Sequence, residues 1–185
     1  YNNDISSYMH NMQAIEEVNM DYVILAPAHF VYRQDFSTLL DAHIASGADV
    51  TMLYQKVDNA KKFYLHCDCL ALNRQKGVES LEKNKGNQEE QNISLETYVM
   101  TKDLFVRLVK KAANISSLYW FNDIINDECQ ELDVRGYEHE GYVACINDFN
   151  SYFTANTDLL SIKKVKELLG KEKFASSVEI TDEVI

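Results

Sequence analysis

Histidine, cysteine, clustered glycine and paired carboxylates are the residue types able to do chemistry in this chain, and their spacing decides between uses. "HCDC" at residues 66–69 has the look of a metal knuckle. A tetrahedral zinc site needs a second Cys/His pair, and no other C-x-C or C-x-x-C exists. As a strand, the same stretch puts Leu65, Cys67 and Cys69 on one face and His66, Asp68 and Leu70 on the other, which makes buried thiols the simpler reading. Cys145 sits in an apolar stretch without a basic neighbour in sequence to lower its pKa, so it reads as a structural thiol. His29, just past an apolar strand at residues 22–26, is the histidine best placed for acid–base work, a locally bonded loop histidine being the alternative. Phosphate cradles need clustered glycines. The six here stand at 47, 77, 86, 136, 141 and 170, forming neither GxGxxG nor GxxxxGK[ST]. No GxSxG elbow is present. Carboxylates abound, including Asp21, Asp35, Asp123, Asp127, Asp148 and Asp158, but their spacing selects no metal pair.

Composition narrows the classes. The 185 residues suffice for a domain with a substantial core. Acidic residues outnumber basic ones 29 to 18, a formal charge of -11 with no basic stripe, which disfavours nucleic acid as a partner. No apolar run is long enough to span a bilayer and no segment has signal-peptide form, so a cytoplasmic, non-membrane address is expected. The chain opens on Tyr1 without an initiator Met and stops at "SSVEITDEVI", the pattern expected of a piece of something longer.

The elements that must position these residues follow from periodicity. Ser6 or Ser7 is a candidate cap for a first helix carrying Tyr8, Met12, Ile15 and Val18. After the strand at 22–26, Asp35 stands at the N-cap of a helix over residues 36–45 and Gly47 at its C′ position, followed by a strand at 50–57. Strand, helix and strand in that order predict a βαβ unit. Residues 63–72, 77–84 and 92–100 read as strands, with the charged stretch 82–91 as a hairpin loop. Thr101 or Asp103 starts a helix whose Leu104, Phe105, Leu108 and Val109 face inward. A helix at 119–129, short strands at 132–137 and 141–147, and helices at 151–160 and 162–169 complete the domain, Gly170 ending the last.

Order along the chain then carries more information than any one motif. "DYVILAPAHFVYRQDFSTLLDAHIASGADVTMLYQKV" resembles the centre of the sugar-nucleotide pyrophosphorylases, most closely the glucose-1-phosphate adenylyltransferase family of bacterial glycogen synthesis, where a strand leads into a G-D-H-[IV]-Y turn, a helix ending x-x-G-A and a D-V-T strand. "NISLETYVMTKDLFVRL" is similar to that family's S-x-G-x-Y-[VL]-[FM] strand and following helix. "YEHEGYVACINDFNSYFTANTDLL" is similar to its Y-W-R-D-V-G segment and A-Y-x-x-A-N-x-D-L helix. The resemblance runs colinearly from about Ser7 to Leu169. It implies an α/β, Rossmann-like nucleotidyltransferase fold, a mostly parallel sheet with flanking helices, in a partial domain over residues 1–172. The nucleotide loop would precede Tyr1, residues 173–185 would be a linker or the start of a C-terminal left-handed β-helix domain, and that domain is absent from the sequence.

The departures point to function. The resemblance implies a magnesium ion held by one aspartate in each of two segments, and those positions here are Ala28 and Cys145, so no cofactor is expected in this chain. S-x-G-x-Y has become Ser94-Leu95-Glu96-Thr97-Tyr98, with a carboxylate where a glycine lets sugar approach. The family's sugar-phosphate lysine is matched only loosely, by Lys83 after Glu82. His29, Ser94, Glu96 and Asp123 remain as ligand-pocket candidates. Loss of both metal carboxylates resembles the D-type glycogen-biosynthesis subunit, a regulatory paralogue that pairs with a catalytic adenylyltransferase subunit, with a sugar phosphate or nucleotide as a further candidate ligand. The alternative is an active enzyme on ATP and glucose 1-phosphate in which Asp21, Asp35 or Asp148 has taken over the metal.

Overall fold

The structure is a computed structural model and describes residues 3–169. Helices α1 (Asp4–His10) and α2 (Met12–Glu17) lead into β1 (Tyr22–Leu25), β2 (Phe30–Tyr32), α3 (Phe36–Ser46) and β3 (Val50–Val57). The middle holds α4 (Ala60–Phe63), β4 (Asp68–Leu72), β5 (Val78–Lys83) and β6 (Gln91–Thr101). Then come α5 (Lys102–Ile115), α6 (Phe121–Glu128), β7 (Val134–Glu138), β8 (Val143–Cys145), α7 (Phe149–Asp158) and α8 (Ile162–Leu169). Where the sequence reading carries one domain over residues 1–172, the backbone divides into two compact units. The first contains the residues through Pro27 and Asp35–His139; the second contains Ala28–Gln34 and the described residues from Glu140. Gly170 and the linker expected at 173–185 lie outside the described residues.

The α/β class with flanking helices is what the structure has. The larger unit carries the strand order β5-β4-β6-β3-β7, with β1 also on β6. The sheet is mixed: β3 and β7 run parallel, whereas β6 is antiparallel to β1, β3 and β4, and β4 to β5. Because β1 and β3 both oppose β6, they run in the same direction. The strand–helix–strand unit is therefore present with β6 inserted between its strands.

Side-chain chemistry sets the element ends. The Asp35 carboxylate accepts from the backbone N–H groups of Ser37 and Thr38, and Gly47 closes α3 at φ 66, the left-handed cap that glycine adopts without a Cβ clash. Thr101 caps α5 through Leu104 N–H. The first helix begins earlier than Ser6 because Asn3 accepts from Ser6 N–H, and the helical run is divided at Asn11. Asn3 also donates to the carbonyls of Ser117 and Tyr119, both at 2.8 Å, holding α1 to a distant loop.

Two expectations about the middle are corrected. Residues 63–67 are not strand: α4 ends at Phe63, His66 turns at φ 67, and β4 starts at Asp68. The charged connection 82–91 is not a hairpin, because β5 and β6 lie on opposite sides of β4. Buried Asn84 holds it in place, donating to the carbonyls of Ala60 and Tyr64 at 2.7 Å.

The core lies between this sheet and α1, α5 and α6. Leu104, Phe105, Leu108, Val109 and Ala112 form the buried stripe of α5, spaced at three and four residues as an inward helical face requires. Phe121, at the start of α6, is the meeting point of four rings, its centroid 6.1 Å from Tyr8, 5.3 Å from Tyr98 and 5.6 Å from Phe105. Among the described residues, no helix is long and apolar enough to cross a membrane.

Candidate functional site

In the smaller unit, β2 and β8 pair antiparallel with Phe30 opposite Cys145, Val31 opposite Ala144 and Tyr32 opposite Val143. The ladder continues past β2, where the His29 carbonyl accepts from Ile146 N–H at 2.7 Å. Two segments far apart in sequence thus bring Ala28, His29 and Cys145 to one end of a two-stranded sheet. Ala28 is exposed, His29 is half-buried against Phe30 with ring centroids 4.7 Å apart, and Cys145 is buried. Asp148, just beyond, accepts from Ser151 N–H at 2.6 Å and caps α7. The hydrogen bonds from the Ser151 backbone and hydroxyl hold its carboxyl below the usual range. In the larger unit Asp35 is likewise a helix cap and Asp21 is exposed. All four cysteines are free, buried thiols. Among the described residues, no three His, Cys, Asp or Glu side chains gather as a metal-ligating group.

The larger unit has a gap in its sheet. One edge of β6 pairs with β4 at Ile93 and with β1 from Tyr98 onward, and between those points no described strand lies beside it. On the other edge the register with β3 slips between Leu53, opposite Thr97, and Tyr54, opposite Ser94. This bulge is built from the residues themselves: the buried Ser94 hydroxyl accepts from Glu96 N–H at 3.1 Å, the Thr97 hydroxyl donates to the Leu95 carbonyl, and Glu96 takes φ 48. A left-handed backbone is strained for a side chain larger than glycine's. Glutamate holds a glycine's conformation here.

Charges collect around this notch. Asp68, at the first position of β4, is 3% exposed; it pairs with Lys83 Nζ at 2.8 Å and accepts from Asn122 Nδ2 at 2.5 Å. Lys83 is the cross-strand partner of Asp68 in the β4–β5 register. Asp4, on α1, accepts from the N–H groups of Phe121 and Ile5. Burial raises the Glu96 carboxyl above its ordinary value, the like charges of Asp68 and Asp4 add to the rise, and Lys83 opposes it. Burial raises Asp4 as well. The phenols share the field: Tyr8 is pushed up to about 12 by burial and then by Asp4 and Glu96, and buried Tyr98 is raised well above its ordinary range.

The structure therefore sets Ser94 and Glu96 together on the bulge, and Ala28, His29 and Cys145 together in the smaller sheet. Asp123 has a different position: its Oδ2 accepts from Trp120 N–H at 2.9 Å at the start of α6. Periodicity does not select Asp68, Asp4 or Asn122. A strict alternation through "HCDC" faces Asp68 outward, whereas Asp68, Cys69 and Leu70 are all buried. The only signal was the unusual run of a carboxylate between two cysteines.

Two consequences of the raised Glu96 carboxyl are measurable. Folded chain keeps this proton to higher pH than unfolded chain, so the associated stability is full below the ordinary value of 4.5 and is lost as pH rises through the raised folded value. Glu96→Gln is expected to flatten that fall in urea titrations across pH, leaving the fall of the same sign from Asp4. Glu96→Gly also relieves the left-handed strain and is expected to raise unfolding free energy by about 1 kcal/mol at pH 7.

No protein-family model matches the chain. Several curated relatives are glucose-1-phosphate adenylyltransferases. A glucose-1-phosphate adenylyltransferase of Geobacillus stearothermophilus is 28% identical over 178 residues, covering 92% of this chain and 44% of that protein. Those of Bacillus cytotoxicus and Lachnospira eligens are 26% and 23% identical, covering 93% and 88% of this chain and 46% and 38% of theirs. The chain resembles glucose-1-phosphate adenylyltransferases along most of its length. It spans less than half the length of these adenylyltransferases. A crystal structure of HddC from Yersinia pseudotuberculosis complexed with GMP-PN shares the fold, with TM-score 0.64 and 13% identity over 85% of this chain and 63% of that one. Against the adenylyltransferase pattern, the left-handed backbone at Glu96 falls where the S-x-G-x-Y motif has its glycine.

Proposed function

We propose that this chain is part of a regulatory, catalytically degenerate subunit of glucose-1-phosphate adenylyltransferase, acting with a catalytic subunit in the supply of ADP-glucose for bacterial glycogen synthesis. The observation that carries the reading is the β2–β8 ladder. It holds Ala28 and Cys145, the two positions at which the resemblance implies metal aspartates, at the same end of one small sheet. A methyl group and a buried thiol do not fit magnesium, a hard cation that takes oxygen ligands. Of the carboxylates able to substitute, Asp35 and Asp148 are engaged as helix caps. No step of nucleotidyl transfer is assigned to this chain.

Its action would be heteromeric. Surface shared with the catalytic subunit biases that subunit's affinity for substrates or effectors, a coupling free energy between sites. The test is to assay the full-length protein alone and mixed with its catalytic partner. Negligible ADP-glucose formation alone, with a shifted substrate or effector response in the mixture, is the expected result. Substantial ADP-glucose formation by the purified subunit alone would overturn the proposal and favour an active enzyme on ATP and glucose 1-phosphate.

A further inference from the structure

The notch in the larger unit holds a cation, yet its charge is already spoken for. Lys83 Nζ lies 2.8 Å from a carboxylate oxygen of Asp68. That carboxylate cannot swing away, because it is 3% exposed, sits at the first position of β4 and takes a second bond from Asn122 on α6. Lys83 is the mobile member, with 55% of its side chain exposed. Glu96 lies on the stretch of β6 that borders the gap, with a backbone that glycine would hold without strain, and the charges of both members of the pair act on its carboxyl. Asp4 on α1 adds a further carboxylate, and Tyr8 and Tyr98 lie in the same field.

An incoming phosphate would have to detach Lys83 from a buried partner, leaving Asp68 with Asn122 alone, and then sit against Glu96. Each of those steps works against an anion: a buried carboxylate deprived of its cation is costly, and like charges at close range repel. We infer that Glu96 and Asp68 close this notch to sugar phosphates, Asp68 by sequestering Lys83 and Glu96 by standing in the gap as a resident anion. The inference deepens the proposed function and rests on it for the choice of ligand, since glucose 1-phosphate is the anionic substrate named in the relatives.

Calorimetric titration of the full-length protein with glucose 1-phosphate tests it. The variants are Lys83→Met alone, Glu96→Gly with Asp68→Asn, and that pair with Lys83→Met added. Asp68→Asn keeps the size of the side chain and an oxygen for Asn122, Glu96→Gly suits the bulge, and the Lys83 side chain is 55% exposed, so the variants are expected to fold, as circular dichroism and an unfolding curve check. Wild-type protein is expected to bind weakly or not at all. The double variant is expected to bind at least about tenfold more tightly, the weight of one charge-assisted hydrogen bond, and Lys83→Met to remove that gain. Saturable wild-type binding that Lys83→Met abolishes would overturn the inference. So would a folded double variant that binds no more tightly than wild type. Neither result depends on ADP-glucose formation, so failure here is distinguishable from failure of the regulatory reading.

Discussion

Phe121→Ala is expected to lower the unfolding free energy by about 3–5 kcal/mol, the range for removing a large aromatic side chain from a core. The ring is 1% exposed and meets Tyr8 and Tyr98 edge-on and Phe105 at a tilt. Its loss removes buried apolar surface and leaves a void that neighbours on α1, α5 and β6 cannot all move to fill. Three aromatic contacts go with it, each contributing beyond simple burial. The backbone N–H of Phe121 still donates to Asp4, so the start of α6 stays anchored and the effect is one of packing. The measurement is a urea unfolding curve, with the midpoint shifted and the slope unchanged. Phe149, on α7 and 77% exposed, is the control; Phe149→Ala is expected to shift stability by no more than about 0.5 kcal/mol. A Phe121→Ala loss as small as that would show that the four-ring meeting point contributes little.

Gly136→Ala carries the second large effect. Gly136 lies on β7 opposite Met52 of β3, where a Cβ would stand 2.9 Å and 3.0 Å from two atoms of the Tyr54 ring and 3.2 Å from Leu72 Cδ2. The ring is not free to turn aside, since Tyr54 is 4% exposed and its hydroxyl donates to Glu138. Overpacking of this kind is expected to cost about 1–3 kcal/mol, and Gly136→Val more. Because burial and Glu138 push the Tyr54 phenol up to about 12, displacement of the ring is also expected to lower the pH at which it ionises, readable by ultraviolet titration. An Ala variant as stable as wild type would mean that the β3–β7 spacing is looser than these distances require.

The parts legible in the sequence were those fixed by neighbours in sequence. Asp35 and Gly47 bound α3 through backbone bonds within a few residues, and the inward face of α5 follows from a spacing of three and four. The α/β class came from the same local patterns. What lay beyond them depends on distant partners. Nothing near β1 or β3 announces that β6, which starts only at Gln91, will lie between them. The tight turn at His66 overrode an alternation that looked like continuous strand, and so hid the burial of Asp68.

The site divides along the same line. Ala28 and Cys145 were found because a resemblance fixed which residues to compare, and their meeting in one ladder needed the fold. Glu96 was visible as a carboxylate at a glycine position, but its left-handed backbone was not. Asp4 and Asn122 were invisible, since only tertiary packing brings α1 and α6 to the notch. Asp123, a ligand-pocket candidate from the resemblance, is engaged at the start of α6.

The pairing of β2 with β8 also sets an order of events during synthesis. The two strands lie on either side of Asp35–His139, the longer of the two segments that make up the larger unit. As the chain grows from its N-terminus, β2 is made early and has no partner until Cys145 has been added. Throughout that interval β2 lacks its ladder partner, and a strand with open edges is the kind of surface that recruits wrong neighbours. Brevity limits the hazard: β2 is three residues long, too short to template an extended mispairing.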